Sequence, residues 1–182
     1  QGRPWREFAK PKELDKHGPA TVISMVNQKG GVGKTTSTIN LGACLAEQGR
    51  KVLLVDLDPQ GALSAGLGVS YEEDQVTVYD LLFDNTASIH AAINTTNVSG
   101  LDVVPANIDL SAAEIQLVNE VGREHTLARA LRPVRNEYDF IILDCGPSLG
   151  LLTVNALACS HGVIIPMECE YFSLRGLALL TD

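Results

Sequence analysis

Eight residues, Lys29-Gly30-Gly31-Val32-Gly33-Lys34-Thr35-Thr36, limit what this chain can fold into more than any other stretch. They follow a short apolar, β-rich run, Thr21-Val22-Ile23-Ser24-Met25-Val26, that reads as a buried strand. After them comes a predicted helix from about 34 to 48, with Ile39, Leu41, Leu45 and Ala46 on an apolar face and Gly49 just past its end. Glycines in such a turn let successive backbone N–H groups point inward and form an anion-binding nest. The helix start adds its positive dipole end and unpaired amides. Lys34 can then reach the outer phosphates of a nucleotide, and the Thr35 hydroxyl can ligate Mg2+. The spacing G-x-x-x-x-G-K-[ST] is not met, because its first glycine falls at Gln28; an extra lysine, Lys29, stands before the double glycine instead. The bland alternative is a βα turn that binds nothing, and the Gly-Lys-Thr run in phase with the helix start argues against it.

Strand-end carboxylates strengthen the case. Lys51-Val52-Leu53-Leu54-Val55-Asp56 is the next predicted strand, so the motif sits in a βαβ unit with parallel, neighbouring strands and a right-handed crossover. Phe140-Ile141-Ile142-Leu143-Asp144 is a second strongly apolar strand that closes on an acid. In open parallel sheets ligands bind beyond the carboxyl ends of the strands. Asp144 is therefore placed to hold Mg2+, directly or through water. Asp56 and Asp58 share a parity in extended chain, so both can face the phosphate site. One could orient or deprotonate an attacking water while the other supports Mg2+. Any one of these acids could be a turn cap at a strand end; three converging on one loop are harder to dismiss.

The remaining chain alternates helix and strand. Thr77-Val78-Tyr79-Asp80 has capping-box form and opens a short predicted helix through Phe83, and residues 87–93 form another. Leu101-Asp102-Val103-Val104 reads as a strand, and Ser111-Ala112-Ala113-Glu114 as a second capping box before the periodic Ile115, Leu117, Val118 and Val121. Helices are expected at 125–131, 149–159 and 173–182, and a strand at 162–166. Alternating elements with continuously apolar strands predict an α/β fold: a mostly parallel central sheet covered on both faces, the three-layer sandwich of P-loop NTPases. Residues 1–20 read as a flexible tail in which Trp5 and Phe8 stand out, and 21–182 as one domain.

Composition excludes several classes. A formal net charge of −8 argues against the chain as a whole being a basic nucleic-acid clamp. Its four cysteines, at 44, 145, 159 and 169, have no C-x-x-C spacing and lie in apolar stretches, so buried free thiols are expected. The four histidines are too scattered for a zinc site. There is no apolar run of membrane-spanning length and no signal-peptide core, so the expectation is a soluble, cytoplasmic protein.

Together with the glycine motif, Asp56-Leu57-Asp58-Pro59-Gln60-Gly61 and Asp144-Cys145-Gly146-Pro147-Ser148-Leu149-Gly150 resemble the ParA/MinD superfamily of ATPases with a deviant Walker A motif. The Asp-Pro-Gln-Gly run and Glu170-Tyr171-Phe172-Ser173-Leu174-Arg175-Gly176 are most similar to its chromosomal ParA (Soj) branch. The resemblance covers about 21 to 182 and implies ATP and Mg2+ as ligands. It implies that two protomers close around two ATP molecules, with Lys29 reaching the other protomer's nucleotide. Asp58 would position the hydrolytic water, Asp56 would lie in the same switch I segment, and 144–150 would form switch II. The candidate catalytic residues are Lys29, Lys34 and Asp58, and the candidate magnesium residues Thr35, Asp56 and Asp144. The phosphates would lie on residues 29–36. The ATP dimer would bind DNA without sequence preference, in the nucleoid, until a ParB-type protein stimulates hydrolysis. Gly146 stands where the family often has a second proline, which gives the loop extra backbone freedom. The family continues past Asp182, so the chain resembles a form lacking its C-terminal part, including much of the DNA surface. Three rivals remain: a MinD-like cell-division ATPase acting at the membrane, an iron–sulfur carrier using Cys145, and a nucleotide-gated adaptor whose hydrolysis is incidental.

Overall fold

A computed structural model describes residues 11–12, 14–69 and 75–168. Trp5, Phe8, Cys169 and the helix expected at 173–182 lie outside them. Among the described residues six strands form one sheet: β1 (Thr21–Met25), β2 (Val52–Leu57), β3 (Asn94–Thr95), β4 (Leu101–Val104), β5 (Phe140–Cys145) and β6 (Gly162–Ile164). Their spatial order is β3-β4-β2-β5-β1-β6, and every pairing is parallel except the short β3 against β4. The expected α/β sandwich with a mostly parallel sheet is thus observed. One expectation fails: β1 and β2 are not neighbours, because β5 lies between them. The apolar run of β5 explains this. Residues 141–145 are all buried, and only a central strand is covered by neighbours on both edges and by helices on both faces.

Strand parity divides the core. Val52, Leu54, Val103 and Ile142 pack on one face with Ala46 and Leu63. Leu53, Val55, Leu57, Ile141 and Leu143 pack on the other with Val78, Leu110, Leu127 and Ala156. The first face is covered by α1 (Lys34–Glu47) and α2 (Ala62–Gly66), the second by α3 (Val78–Phe83), α4 (Ile89–Ala92), α5 (Leu110–Leu117), α6 (Thr126–Leu131) and α7 (Leu151–Cys159). Asp56 and Asp144 continue the parity of Leu54 and Ile142, which directs them to the α1 face.

Three elements depart from the sequence reading. The most buried stripe of α1 is Lys34, Thr38, Gly42 and Ala46, with Ile39, Leu41 and Leu45 only partly buried at its flanks. Small and polar residues at i, i+4 spacing let the helix axis approach the sheet. α5 begins at Leu110, not after a capping box at Ser111, and ends at Leu117. Its buried residues are Leu110, Ala113 and Leu117, while Ile115, Val118 and Val121 are exposed. Cys44 is exposed as well, on the outer side of α1, whereas Cys145 is buried and Cys159 half-buried. The capping reading at Thr77 holds: the Asp80 carboxylate accepts the Thr77 backbone N–H at 2.7 Å.

At the amino ends of the strands, opposite the glycine loop, Asp139 accepts from Lys51 N at 2.8 Å and Gly18 N at 3.2 Å and pairs with His17 Nδ1 at 2.7 Å. Those bonds hold the Asp139 carboxyl below its ordinary range although burial opposes them. Residues 17–20 therefore lie against the turn before β5.

Candidate functional site

The carboxyl ends of β1, β5 and β2 stand side by side. In register, Met25 is level with Asp144, and Asp144 with Asp56. The glycine loop leaves β1 here and enters α1 at Lys34. Gly31 and Gly33 have φ of 76° and 84°, a region that side-chain-bearing L residues rarely adopt. Val32 between them is buried and anchors the turn. The loop borders a cleft of about 250 Å3 lined by Gly30, Gly31, Gly33, Lys34, Thr35 and Asp58, among others.

Asp144 lies under the loop and is 1% exposed. Thr35 Oγ1 donates to its Oδ2 at 2.7 Å, and Thr38 Oγ1 lies 3.1 Å from its Oδ1. Burial raises its pKa; the two hydroxyls and the Lys34 charge oppose that, and Asp58 adds to it. A hard cation suits this place: an acid from a strand end and a threonine hydroxyl, both oxygen ligands, face the phosphate loop.

Asp56 is fully buried. Its Oδ1 accepts Asp58 N at 3.1 Å, and its Oδ2 accepts Ser64 N at 3.2 Å and Ser64 Oγ at 3.1 Å. It thus stitches the 56–64 loop to the start of α2 from behind Asp144. Burial pushes its pKa up to about 6 against these hydrogen bonds, with a smaller push from the Asp144 charge. Asp58 is partly exposed, accepts Gln60 N at 3.0 Å, and reaches the cleft beside Gly146.

The two lysines differ. Lys34 is buried, and its Nζ donates to the Lys29 carbonyl at 3.1 Å. Lys29 turns outward, and its Nζ meets Glu168 Oε2 at 2.7 Å, with both side chains about two-fifths exposed. Asn27 fastens the same corner: its Oδ1 accepts Lys29 N at 2.9 Å, and its Nδ2 donates to the Pro166 carbonyl at 2.8 Å.

Lys34, Thr35 and Asp58 thus line one cleft with Gly30, Gly31, Gly33 and Thr36 of the loop, Val32 is buried within that loop, and Lys29 stands at the rim. Asp144 lies beneath the cleft against Thr35, whereas Asp56, expected to face the phosphate site, is fully buried behind it and engaged by Asp58 N and Ser64. Sequence reading missed Thr38, Asn27, Ser64 and Glu168. Thr38 lies one helical turn after Lys34, a spacing that was legible; Asn27 and Glu168 depend on contacts between distant segments, and Ser64 on the turn that returns it to Asp56. Among the described residues no group of three or more His, Cys, Asp or Glu could hold a metal by itself, and no helix is long and apolar enough to cross a membrane.

Comparison with known proteins gives a consistent family. The family model described as an AAA domain matches residues 20–182. An uncharacterized protein of Mycobacterium tuberculosis is 66% identical over 181 residues, 100% of this chain and 57% of the relative. The sporulation initiation inhibitor protein Soj of Bacillus subtilis is 54% identical over 161 residues, 88% of this chain and 63% of Soj. The structure of cobyrinic acid a,c-diamide synthase from Mycobacterium smegmatis with bound ATP analogue and magnesium has a TM-score of 0.84 at 45% identity, covering 89% of this chain and 66% of that one. The chain spans about three-fifths of the length of the curated relatives it matches, 57% and 63% for these two.

Proposed function

The chain belongs to the ParA/Soj/MinD superfamily of P-loop ATPases, and on that footing we propose that it is a partitioning ATPase. It closes into a homodimer on Mg-ATP, binds DNA without sequence preference, and hydrolyses ATP when a ParB-type partner stimulates it. Residues 21–182 are its nucleotide-binding domain, 1–20 an extension, and the cytoplasmic nucleoid its place of work.

One observation carries the reading: the Thr35 hydroxyl and the Asp144 carboxylate meet at 2.7 Å beside a loop whose Gly31 and Gly33 adopt the left-handed backbone. Amides of 30–36 and the Lys34 ammonium bind the β- and γ-phosphates. Thr35 and Asp144 are the residues that would hold Mg2+, with Asp56 supporting them from behind. When bound, the ion neutralises phosphate charge. Asp58, at the cleft wall, orients the water whose oxygen attacks the γ-phosphorus as the bond to the bridging oxygen breaks, leaving ADP and phosphate. Lys29 from a second copy adds positive charge at the γ-phosphate only in the dimer, which links ATP occupancy to dimerisation. The 56% identity over 158 residues to the chromosome-partitioning ATPase Soj of Treponema pallidum, against 45% to the diamide synthase, favours partitioning over amide synthesis.

Calorimetry and DNA co-sedimentation of the intact protein test this. Heat on adding Mg-ATP and DNA binding with ATP but not ADP are expected. No heat would sink the reading, and lipid binding in place of DNA binding would move the protein to the MinD-like class. Asp58→Ala should bind ATP and DNA but turn over at least about 100-fold more slowly, leaving a long-lived ATP dimer; wild-type turnover in this variant would remove Asp58 from the mechanism.

A further inference from the structure

Gly150 raises a question that its backbone does not answer. Its φ of −75° and ψ of −172° are open to any residue, so no turn geometry calls for glycine. What the position lacks is room: a Cβ there would overlap the Glu114 carboxylate, which reaches across from α5. The same carboxylate accepts a hydrogen bond from Ser148 Oγ at 3.3 Å. Gly150 is also the N-cap residue of the nine-residue α7 and has no side chain with which to cap it. An acidic group beside the first residues of a helix interacts favourably with the positive end of its dipole. Among the described residues, Glu114 has no salt-bridge partner that would draw it elsewhere.

The loop held in this way leads straight from the nucleotide cleft. Asp144 lies four residues before Ser148, and Pro147 is in the cleft wall. Thr153 Oγ1 donates to the Ser148 carbonyl at 2.6 Å, so Ser148 is fastened from α7 as well as from α5. On the α5 side a space of about 260 Å3, bordered by Leu57, Leu110, Glu114, Pro147 and Leu152, gives the loop somewhere to move. We propose that Glu114 is a positioning residue for ATP hydrolysis: its carboxylate, admitted by Gly150 and bonded to Ser148, latches the 146–150 loop to α5 and sets where that loop stands relative to Asp144 and Asp58. The hydrolytic half of this proposal rests on the ATPase reading above; the latch itself does not.

Two different substitutions break the same contact. Glu114→Ala removes the carboxylate. Gly150→Ala keeps it but evicts it, at little cost, because the obstructing atoms are the free end of a flexible side chain. Hydrogen exchange on the intact, nucleotide-free protein should show the amides of 148–152 exchanging about 3- to 10-fold faster in both variants, with melting temperatures shifted by only a few degrees. ATP turnover should fall about 5- to 10-fold in kcat while KM for ATP stays within about twofold. The double variant should be no worse than either single, since the second change has nothing left to break. Glu114→Gln keeps an oxygen for Ser148 and should recover most of both signals. Unchanged exchange in both single variants overturns the latch whatever the ATP assays show, and additive losses in the double variant overturn the shared contact. If the wild-type protein were inert towards Mg-ATP, the ATPase reading would fall and the exchange measurement would still decide the latch.

Discussion

Asp56 and Asp144 are adjacent carboxylates on neighbouring strands, both almost out of reach of water. Burial sets Asp56 at about 6 against 3.8 for a free aspartate and moves Asp144 in the same direction. The native state therefore holds protons that the unfolded chain has released, and stability rises as pH falls from about 6 towards 3.8. For Asp56 the effect reaches up to about 3 kcal/mol. Asp139, held low by its hydrogen bonds, acts with the opposite sign, but only as pH falls below 3.8. Thermal denaturation of nucleotide-free protein should thus show a higher melting temperature at pH 5 than at pH 7.5. A cation on Asp144 needs the ionised form, and burial raises its pKa, so the stabilisation given by Mg-ATP should shrink as pH falls; a pH-independent ligand shift would contradict the assignment of Asp144. The place of Asp144 was legible, since an acid closing an apolar strand is a local pattern. That Asp56 would engage Ser64 was not, because the turn that returns Ser64 to it has no periodic signal.

Among the elements, α1 shows most plainly how close packing differs from hydrophobicity. Gly42 faces the sheet, and a Cβ there would come within 2.9 Å of Leu54 Cδ2 and 3.0 Å of Leu101 Cδ1, both in fully buried residues. Gly42→Ala should gain about 1 kcal/mol in helix propensity and lose more to overpacking, for a net destabilisation of about 1–2 kcal/mol in a denaturant titration. A stabilised variant would mean that α1 can ride further from the sheet than the geometry allows. Of the apolar face expected from the sequence, Ile39, Leu41, Leu45 and Ala46, only Ala46 belongs to the buried stripe; the other three flank it. In α5 the periodic Ile115, Val118 and Val121 are likewise exposed, while Leu110, Ala113 and Leu117 are buried. Periodicity locates an apolar face, but the innermost contact is chosen by the distance of approach, and small residues give no signal of that.

Across the whole molecule, Lys29 and Glu168 lie at a rim rather than in the cleft. In the proposed dimer Lys29 must leave Glu168 to reach the other protomer's phosphates. Lys29→Ala should leave ATP affinity of the monomer within about threefold while abolishing ATP-dependent dimerisation, followed by light scattering. Glu168→Gln should shift dimerisation about 2- to 10-fold towards lower protein concentration, since two exposed ion pairs are broken per dimer. Normal dimerisation of Lys29→Ala would remove the lysine from the interface. Among the described residues β6 is an edge strand of the sheet, with Val163 and Ile164 exposed.

The chemistry of the cleft was written in short segments: a glycine turn, a helix start, and acids at the ends of apolar runs. Each depends on residues a few positions apart, so a linear reading reaches it. Strand order, the neighbours of β1, the grip of Asp144 on Thr35 across 109 positions and the meeting of Glu114 with the 148–150 loop belong to the folded chain alone. Those contacts are chosen by which surfaces can be buried together, a choice made among all segments at once and leaving no periodic mark on any one of them.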